Sequence, residues 1–104
     1  MTNYKINITQ RAFSDISECV LFAKKASSKT AKELYLEIIT AINSLSSFPN
    51  KYSEIKDLTI RNVKVRKMPI HNGRYLILYK VETETVVIYD VIDARKDASW
   101  INAF

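Results

Sequence analysis

Apolar and polar residues alternate near the start of the chain and then change to a helical period. Residues 4–8 alternate and predict a short strand. Thr9 follows as a helix N-cap, because its hydroxyl can accept a hydrogen bond from an otherwise free amide of the first turn. Apolar residues then recur at intervals of three and four: Ala12, Ile16, Cys19, Val20 and Ala23. This spacing predicts a helix over about residues 10–26, which Ser27 and Ser28 interrupt.

A second helix is indicated by a capping sequence followed by another helical period. Thr30 and Glu33 fit a capping box, in which each side chain satisfies the other's backbone amide. The apolar residues behind it are Leu34, Ile38, Ala41, Ile42 and Leu45. The pattern fades before Pro49, which cannot continue a helix. Two consecutive helices joined by so short a connection should form an antiparallel hairpin.

The remainder of the chain has the period and composition of strands. A first strand begins at Val63, with Val63, Val65 and Lys67 on one side and Lys64 and Arg66 on the other. A second strand is predicted over residues 74–81 and a third over residues 85–92, which is apolar on both faces except at its end. Between the first two, the pair Asn72–Gly73 favours the left-handed backbone of a tight hairpin turn.

The order of these elements predicts an α+β domain, taken as one unit over residues 1–104. An N-terminal strand precedes a two-helix antiparallel hairpin, and the hairpin packs on one face of a small antiparallel sheet of about four strands. Tyr75, Ile77 and Tyr79 share one face of the middle strand, so we expect that face to be core.

Composition removes several functional classes. A single Gly cannot build a nucleotide-binding glycine loop, and the only Cys has no intramolecular disulfide partner. Cys19 and His71 fit no zinc spacing, so we expect no metal and no cofactor. We interpret Cys19 as a core residue and His71 as an exposed polar residue beside a turn. No apolar run approaches the ~20 residues of a spanning helix, and the start lacks a long apolar signal, so we expect a cytoplasmic protein without a membrane partner.

Charge points to an anionic partner. The chain has 16 basic and 11 acidic residues, a formal net charge of +5. Residues 61–80 contain no acidic residue and six basic ones: Arg61, Lys64, Arg66, Lys67, Arg74 and Lys80. Arginine and lysine hold phosphates and aromatic rings stack on bases, so this segment, with Arg95, Lys96 and Trp100 beyond it, suits RNA, DNA or an acidic peptide. The alternative is a basic, solvated strand face.

Three segments, taken in order, resemble the RelE/ParE superfamily. They are Val-Arg-Lys-Met-Pro-Ile at 65–70, Asn-Gly-Arg-Tyr-Leu-Ile-Leu-Tyr-Lys-Val at 72–81, and Val-Ile-Asp-Ala-Arg-Lys-Asp at 91–97. Members of this superfamily are toxins of type II toxin–antitoxin modules, also called plasmid-stabilisation proteins. The resemblance covers nearly the whole chain and implies the fold above. It also implies a growth-inhibiting toxin that is neutralised by a cognate antitoxin wrapped across it.

The resemblance leaves two activities open. RelE-like members cut messenger RNA in the ribosomal A site, and the matching cations here are Lys64, Arg66 and Arg95. In that activity Arg66 and Arg95 would stabilise the phosphate and Lys64 would act as base. The stretch 97–104 has no Tyr or His to transfer a proton, and we expect His71 to lie at the far end of its hairpin from it.

We therefore favour ParE-like inhibition of DNA gyrase, although Asp93 stands where many such members carry His. The target-binding candidates are Lys67, Arg74, Lys96 and Trp100. Two alternatives remain, a RelE-like ribosome-dependent endoribonuclease and a non-toxic nucleic-acid-binding module of the same fold. Arg95 also has a structural interpretation, in which it pairs with Asp93 or Asp97 and pins the chain end.

Overall fold

Two helices and five strands are present in a computed structural model that describes residues 3–60 and 62–95, except the side chains of residues 57, 58 and 60. In chain order they are β1 (Lys5–Ile8), α1 (Gln10–Lys24), α2 (Ser28–Ser44), β2 (Glu54–Ile60), β3 (Val63–Ile70), β4 (Tyr75–Val81) and β5 (Thr85–Asp93). The helices lie together in sequence and the strands β2–β5 follow them. This arrangement confirms the α+β class.

The strands form one sheet in the order β1-β5-β4-β3-β2. Strands β2 to β5 are antiparallel neighbours, whereas β1 runs parallel to β5. The sheet therefore has five strands instead of about four, and it is mixed instead of purely antiparallel. Strand β2 escaped prediction because its pairing with β3 is irregular and residues 54–60 show no clean alternation. The direction of β1 depends on a neighbour about 80 residues away, which no local pattern reports.

Side-chain caps begin both helices. The Thr9 hydroxyl accepts from the Ala12 amide at 3.1 Å, which confirms the predicted cap of α1. The capping box predicted at Thr30 is wrong, because Ser27 is the cap of α2 and its hydroxyl accepts from the Thr30 amide at 2.9 Å. The extended backbone of Ser27 places its hydroxyl over the first turn. The helix hairpin thus closes through a connection of only residues 25–27.

The main core lies between the helix hairpin and one face of the sheet. Tyr75, Ile77 and Tyr79 of β4 are buried there, as predicted, against Ile38 and Ile42 of α2. Cys19 is half-buried beside this core. On the opposite face a smaller cluster is formed by Val65 and Leu78, with Ile55, Leu76 and Ile92 around them. Strand β4 is consequently buried on both faces.

A buried carboxyl joins α1 to β5. Asp90 is only 1% exposed and lies at an irregularity in the pairing of β4 with β5. Its carboxylate accepts from Arg11 Nε at 3.1 Å and from the Val91 amide at 2.9 Å, and it also hydrogen-bonds Asp15. The pKa of Asp90 is raised to about 7, and burial is the largest cause. Asp15 raises this pKa as well, and its effect is larger than the opposing effects of Arg11 and the Val91 amide.

The raised pKa of Asp90 predicts that the protein becomes less stable as the pH rises towards 7. An unfolded Asp has a pKa near 3.9, so between roughly pH 4 and pH 7 the folded chain binds more protons than the unfolded chain. The free energy of unfolding should therefore fall by about 2–3 kcal/mol from pH 5 to pH 8. In Asp90→Asn the fall should be much smaller. Urea unfolding of both proteins at the two pH values tests this, and equal slopes would contradict it.

Candidate functional site

The three catalytic candidates, Lys64, Arg66 and Arg95, lie at two different ends of the sheet. Arg66 is paired opposite Tyr79, whereas Asp93, which leads to Arg95, is paired opposite Tyr75. Four residues along β4 separate these positions, about 13 Å at ~3.3 Å per residue. Lys64 lies two residues further away along β3. The structure therefore does not bring Lys64, Arg66 and Arg95 together.

Arg66 is occupied by the loop that enters β2. Its Nη1 donates to the carbonyl oxygen of Tyr52 at 2.6 Å and to that of Asn50 at 3.4 Å, and its Nη2 lies 3.5 Å from a Glu54 carboxylate oxygen. The side chain is 21% exposed, in contrast to exposed Lys64. Arg66 thus fastens residues 50–54 to the sheet.

The same loop is held by a buried tyrosine. The Tyr79 hydroxyl donates to the carbonyl oxygen of Pro49 at 2.7 Å. Burial raises the pKa of Tyr79 to about 12, although the charge of Arg66 lowers it in part. Its phenol therefore stays protonated at neutral pH and is committed to a structural hydrogen bond. It is not suited to be the proton-transfer group that residues 97–104 lack.

At the other end of the sheet Arg95 forms a two-point ion pair with Asp93. Its Nε and Nη2 lie 3.0 Å and 2.7 Å from the two carboxylate oxygens, and its backbone amide donates to the same side chain at 2.9 Å. These hydrogen bonds lower the pKa of Asp93 to about 2. The interpretation that Arg95 pairs with Asp93 matches this geometry, while Asp97 lies outside the described residues.

Of the four target-binding candidates, the structure describes two, Lys67 on β3 and Arg74 in the turn that precedes β4. Arg74 is half-buried with its guanidinium 5.5 Å from the centre of the Tyr75 ring, at the Arg95 end. Lys67 is exposed on β3, and its backbone amide donates to the Ser53 carbonyl at 3.0 Å. Lys96 and Trp100 lie outside the described residues. Arg74 and the catalytic candidate Arg95 lie near each other, and the charges of both lower the pKa of Asp93.

His71 lies at the Arg95 end of the sheet, while the stretch 97–104, from which it was expected to be distant, lies outside the described residues. Because Tyr75 pairs with Asp93, and the Ala94 amide donates to the Arg74 carbonyl at 2.8 Å, the β3–β4 turn lies at the Arg95 end of the sheet. Instead of being a plain exposed turn residue, His71 is half-buried and bound twice by Glu37 of α2. Its Nδ1 is 2.9 Å from Oε1, and its backbone amide donates to Oε2 at 2.7 Å.

The backbone of this turn is unusual as well. The φ angles of His71, Asn72 and Gly73 are 53°, 57° and 81°, all in the left-handed region that disfavours residues other than glycine. The tight left-handed turn predicted at Asn72–Gly73 is present, and it begins one residue earlier. The two bonds from Glu37 offset the strain at His71 and fix the orientation of its ring.

An open groove of about 640 Å³ separates α2 from the end of β3. Leu36, Glu37, Thr40, Ala41 and Ser44 line it from the helix, and residues 69–73 line it from the strand and turn. We refer to this feature as the α2–β3 groove. It is shallow and open to solvent, and its lining is largely apolar.

Sequence reasoning missed Glu37 and Asp90. Asp90 had a signal, since it is a carboxylate within an otherwise apolar strand and such a residue needs a buried partner. Glu37 had none, because it lies 34 residues before His71 on the polar side of a helix. Among the residues that the structure describes, no group of His, Cys, Asp and Glu could hold a metal ion. Neither described helix is long and apolar enough to cross a membrane.

Comparison with known proteins adds a family and a fold. The family described as "ParE toxin of type II toxin-antitoxin system, parDE" matches residues 6–98. A chain from the solved structure titled "Chromosomal ParDE TA system from P. aeruginosa" is similar in fold, with a TM-score of 0.71. It is 12% identical in sequence, and the match covers 86% of this chain and 95% of that one. No curated protein sequence matches at a significant level.

The contacts of the loop at residues 50–54 predict that alanine substitution lowers stability at Arg66 but not at Lys64. Arg66→Ala removes the donors that serve the Tyr52 and Asn50 carbonyls, so it should lower the free energy of unfolding by about 1–3 kcal/mol. The matched control Lys64→Ala removes an exposed side chain and should change stability by less than about 0.5 kcal/mol. Urea unfolding measures both. Similar stabilities for the two variants would show that Arg66 does not hold the loop.

Proposed function

The chain belongs to the ParE toxin family of type II toxin–antitoxin systems, and from this membership we propose that it arrests growth by inhibiting DNA gyrase. The family match over residues 6–98 carries the proposal, and it agrees with the superfamily resemblance found in the sequence. The partner that restrains such a toxin is its cognate antitoxin. No cofactor is needed, because a toxin that inhibits through its surface performs no bond chemistry of its own.

The arrangement of the cations supports this choice over RNA cleavage. Metal-free cleavage needs a base, a phosphate-stabilising cation and a proton donor around one phosphodiester. Arg66 and Arg95 lie at different ends of the sheet and each is engaged by protein oxygens. Tyr79 stays protonated and bound to a carbonyl. The set Lys64, Arg66 and Arg95 is thus poorly placed to act on one phosphate.

One observation favours the RelE-like alternative, a ribosome-dependent messenger RNA endonuclease. Glu37 orients His71 through Nδ1, and a carboxylate-bound histidine is a common general base. This pair lies at the same end of the sheet as Arg74 and Arg95. His71, a poor substitute on the sequence alone, is therefore a candidate proton-transfer residue if the protein does cut RNA.

Two purified reactions separate the candidates. The toxin should inhibit gyrase supercoiling of a relaxed plasmid, and it should leave messenger RNA uncut in a translating extract followed by primer extension. A-site cuts with undisturbed supercoiling would overturn the gyrase proposal in favour of RNA cleavage. Absence of both effects and of toxicity, together with steeply salt-dependent binding to bulk nucleic acid, would favour the non-toxic binding module.

The His71→Asn variant gives an independent test in cells. Asn tolerates the left-handed backbone but cannot transfer a proton at neutral pH. Under the gyrase proposal we expect His71→Asn to keep its growth inhibition. Arg95→Ala, which removes an exposed side chain together with its ion pair to Asp93, is a companion variant that should also remain toxic. Colony counts after induction measure toxicity, and thermal unfolding confirms folding. A large loss of toxicity in folded His71→Asn would instead support an acid–base role for this histidine.

A further inference from the structure

The loop of residues 46–53, which leads from the helix hairpin into β2, is tied to the sheet along its length. Several of its carbonyl oxygens accept hydrogen bonds, namely those of Ser46, Pro49, Asn50, Tyr52 and Ser53. The donors come from the strands and from the residue before β1, and they are the Tyr4 and Lys67 amides, the Tyr79 hydroxyl and the Arg66 guanidinium. Moving this loop would break several of these bonds at once, so its backbone is well defined.

Within this 46–53 loop a proline is buried and the phenylalanine before it is displayed. Pro49 is buried, with its carbonyl oxygen 2.7 Å from the Tyr79 hydroxyl, whereas Phe48 is 63% exposed. The Lys51 amide donates to the Phe48 carbonyl at 3.3 Å and closes a turn, in which Pro49 takes the second position that its fixed φ favours. The backbone that carries the Phe48 ring is therefore rigid, and the ring faces solvent.

The support beneath Phe48 distinguishes it from other exposed apolar residues. A single exposed apolar side chain is common on protein surfaces and by itself indicates nothing. Here two side chains of the sheet, Tyr79 and Arg66, direct their polar groups to the loop that carries the ring. Interfaces are enriched in aromatic residues, and a contact residue that is held in place before binding loses little entropy when it binds. Phe48 therefore has the properties of a preorganised contact residue.

The charge around Phe48 is positive. The 46–53 loop has no acidic residue, and exposed Lys51 lies in the same turn as Phe48. Exposed Lys67 borders the end of the loop through its backbone amide. The carboxylate of Glu54, at the start of β2, lies 3.5 Å from the Arg66 guanidinium. An apolar ring flanked by lysines is complementary to an apolar pocket with carboxylates at its rim.

A protein surface fits these features better than a nucleic acid does. Proteins that bind single strands combine aromatic rings with a groove of cations that tracks the phosphates. The Arg66 guanidinium is bound to loop carbonyls instead, and its side chain is only 21% exposed. Phe48 is thus better equipped to enter an apolar pocket than to stack on a base.

We propose that Phe48 inserts into an apolar, acid-rimmed pocket on the protein that this toxin inhibits, and that Lys51 pairs with a carboxylate of the rim. The inference rests on the proposed function in one respect, that this protein is DNA gyrase. Tyr79 and Arg66 are then positioning residues, because they act on the target only through the loop that they hold.

Removing the ring tests this assignment. Phe48→Ala deletes the exposed side chain and keeps the turn, whose hydrogen bonds come from backbone atoms. The matched control Phe22→Ala deletes the same ring at a site on α1 where it is 57% exposed. Lys51→Glu reverses the charge beside Phe48, and Lys32→Glu at an exposed position of α2 is its control. We would measure the concentration of each purified toxin that halves gyrase supercoiling, together with thermal unfolding and calorimetric binding to the cognate antitoxin.

We expect Phe48→Ala to need at least about tenfold more toxin for half-inhibition, a change of ~1.4 kcal/mol. Lys51→Glu should also inhibit more weakly than the unaltered protein, because it would repel the carboxylates of the rim. Both controls should inhibit like the unaltered protein, and every variant should unfold at nearly the same temperature.

Three results would overturn the assignment while leaving the others open to measurement. Folded Phe48→Ala that inhibits gyrase as strongly as the unaltered protein would remove Phe48 from the target contact and leave the proposed function intact. Loss of antitoxin binding alone in Phe48→Ala would assign the loop to the antitoxin. If the unaltered toxin leaves supercoiling undisturbed, the proposed function fails, and with it the partner assigned to Phe48. A-site cutting of messenger RNA that Phe48→Ala abolishes would in that case assign the ring to nucleic acid.

Discussion

Burial of the central strand β4 on both faces is the constraint on which the rest of the structure depends. Ile77, Leu78 and Tyr79 have no exposed surface, although consecutive side chains of a strand point to opposite faces. The helix hairpin covers the face of Ile77 and Tyr79, and the smaller cluster around Val65 covers that of Leu78. Burying one such side chain stabilises the fold by about 1.5–3 kcal/mol relative to leaving it exposed. Both layers are needed because each shields a different face of this strand from water.

Several polar groups that reach this interior are engaged by partners, whereas the buried Nε atom of Arg74 has no hydrogen-bond partner among the described residues. Lys80, which is 3% exposed, has its ammonium 3.3 Å from Glu82 and 5.5 Å from the centre of the Tyr89 ring. Asp90 meets Arg11 and Asp15, and Tyr79 meets the Pro49 carbonyl. A buried charge or hydroxyl without a partner costs several kcal/mol, which explains why these groups occur as pairs. The basic composition is therefore partly structural, since Arg11, Arg66 and Lys80 join elements of the fold.

The same demand for partners shapes the functional surface. Cations that look interchangeable in the sequence have different environments, because Arg66 fastens a loop and Arg95 is neutralised by Asp93. The same demand acts at the α2–β3 groove, where the Glu37 carboxylate binds both the ring and the backbone amide of His71.

Local patterns in the sequence determined the two helices, the Thr9 cap and the family. They also determined the core face of β4, which consists of Tyr75, Ile77 and Tyr79. Periodicity and motif order are sufficient for these features because they involve residues close together in the chain. Only the tertiary structure decided the parallel pairing of β1 with β5, the separation of Arg66 from Arg95, and the meeting of Glu37 with His71. Strand register and helix placement bring together residues tens of positions apart. Those contacts follow from how buried faces fit each other, and no short stretch of sequence carries that information.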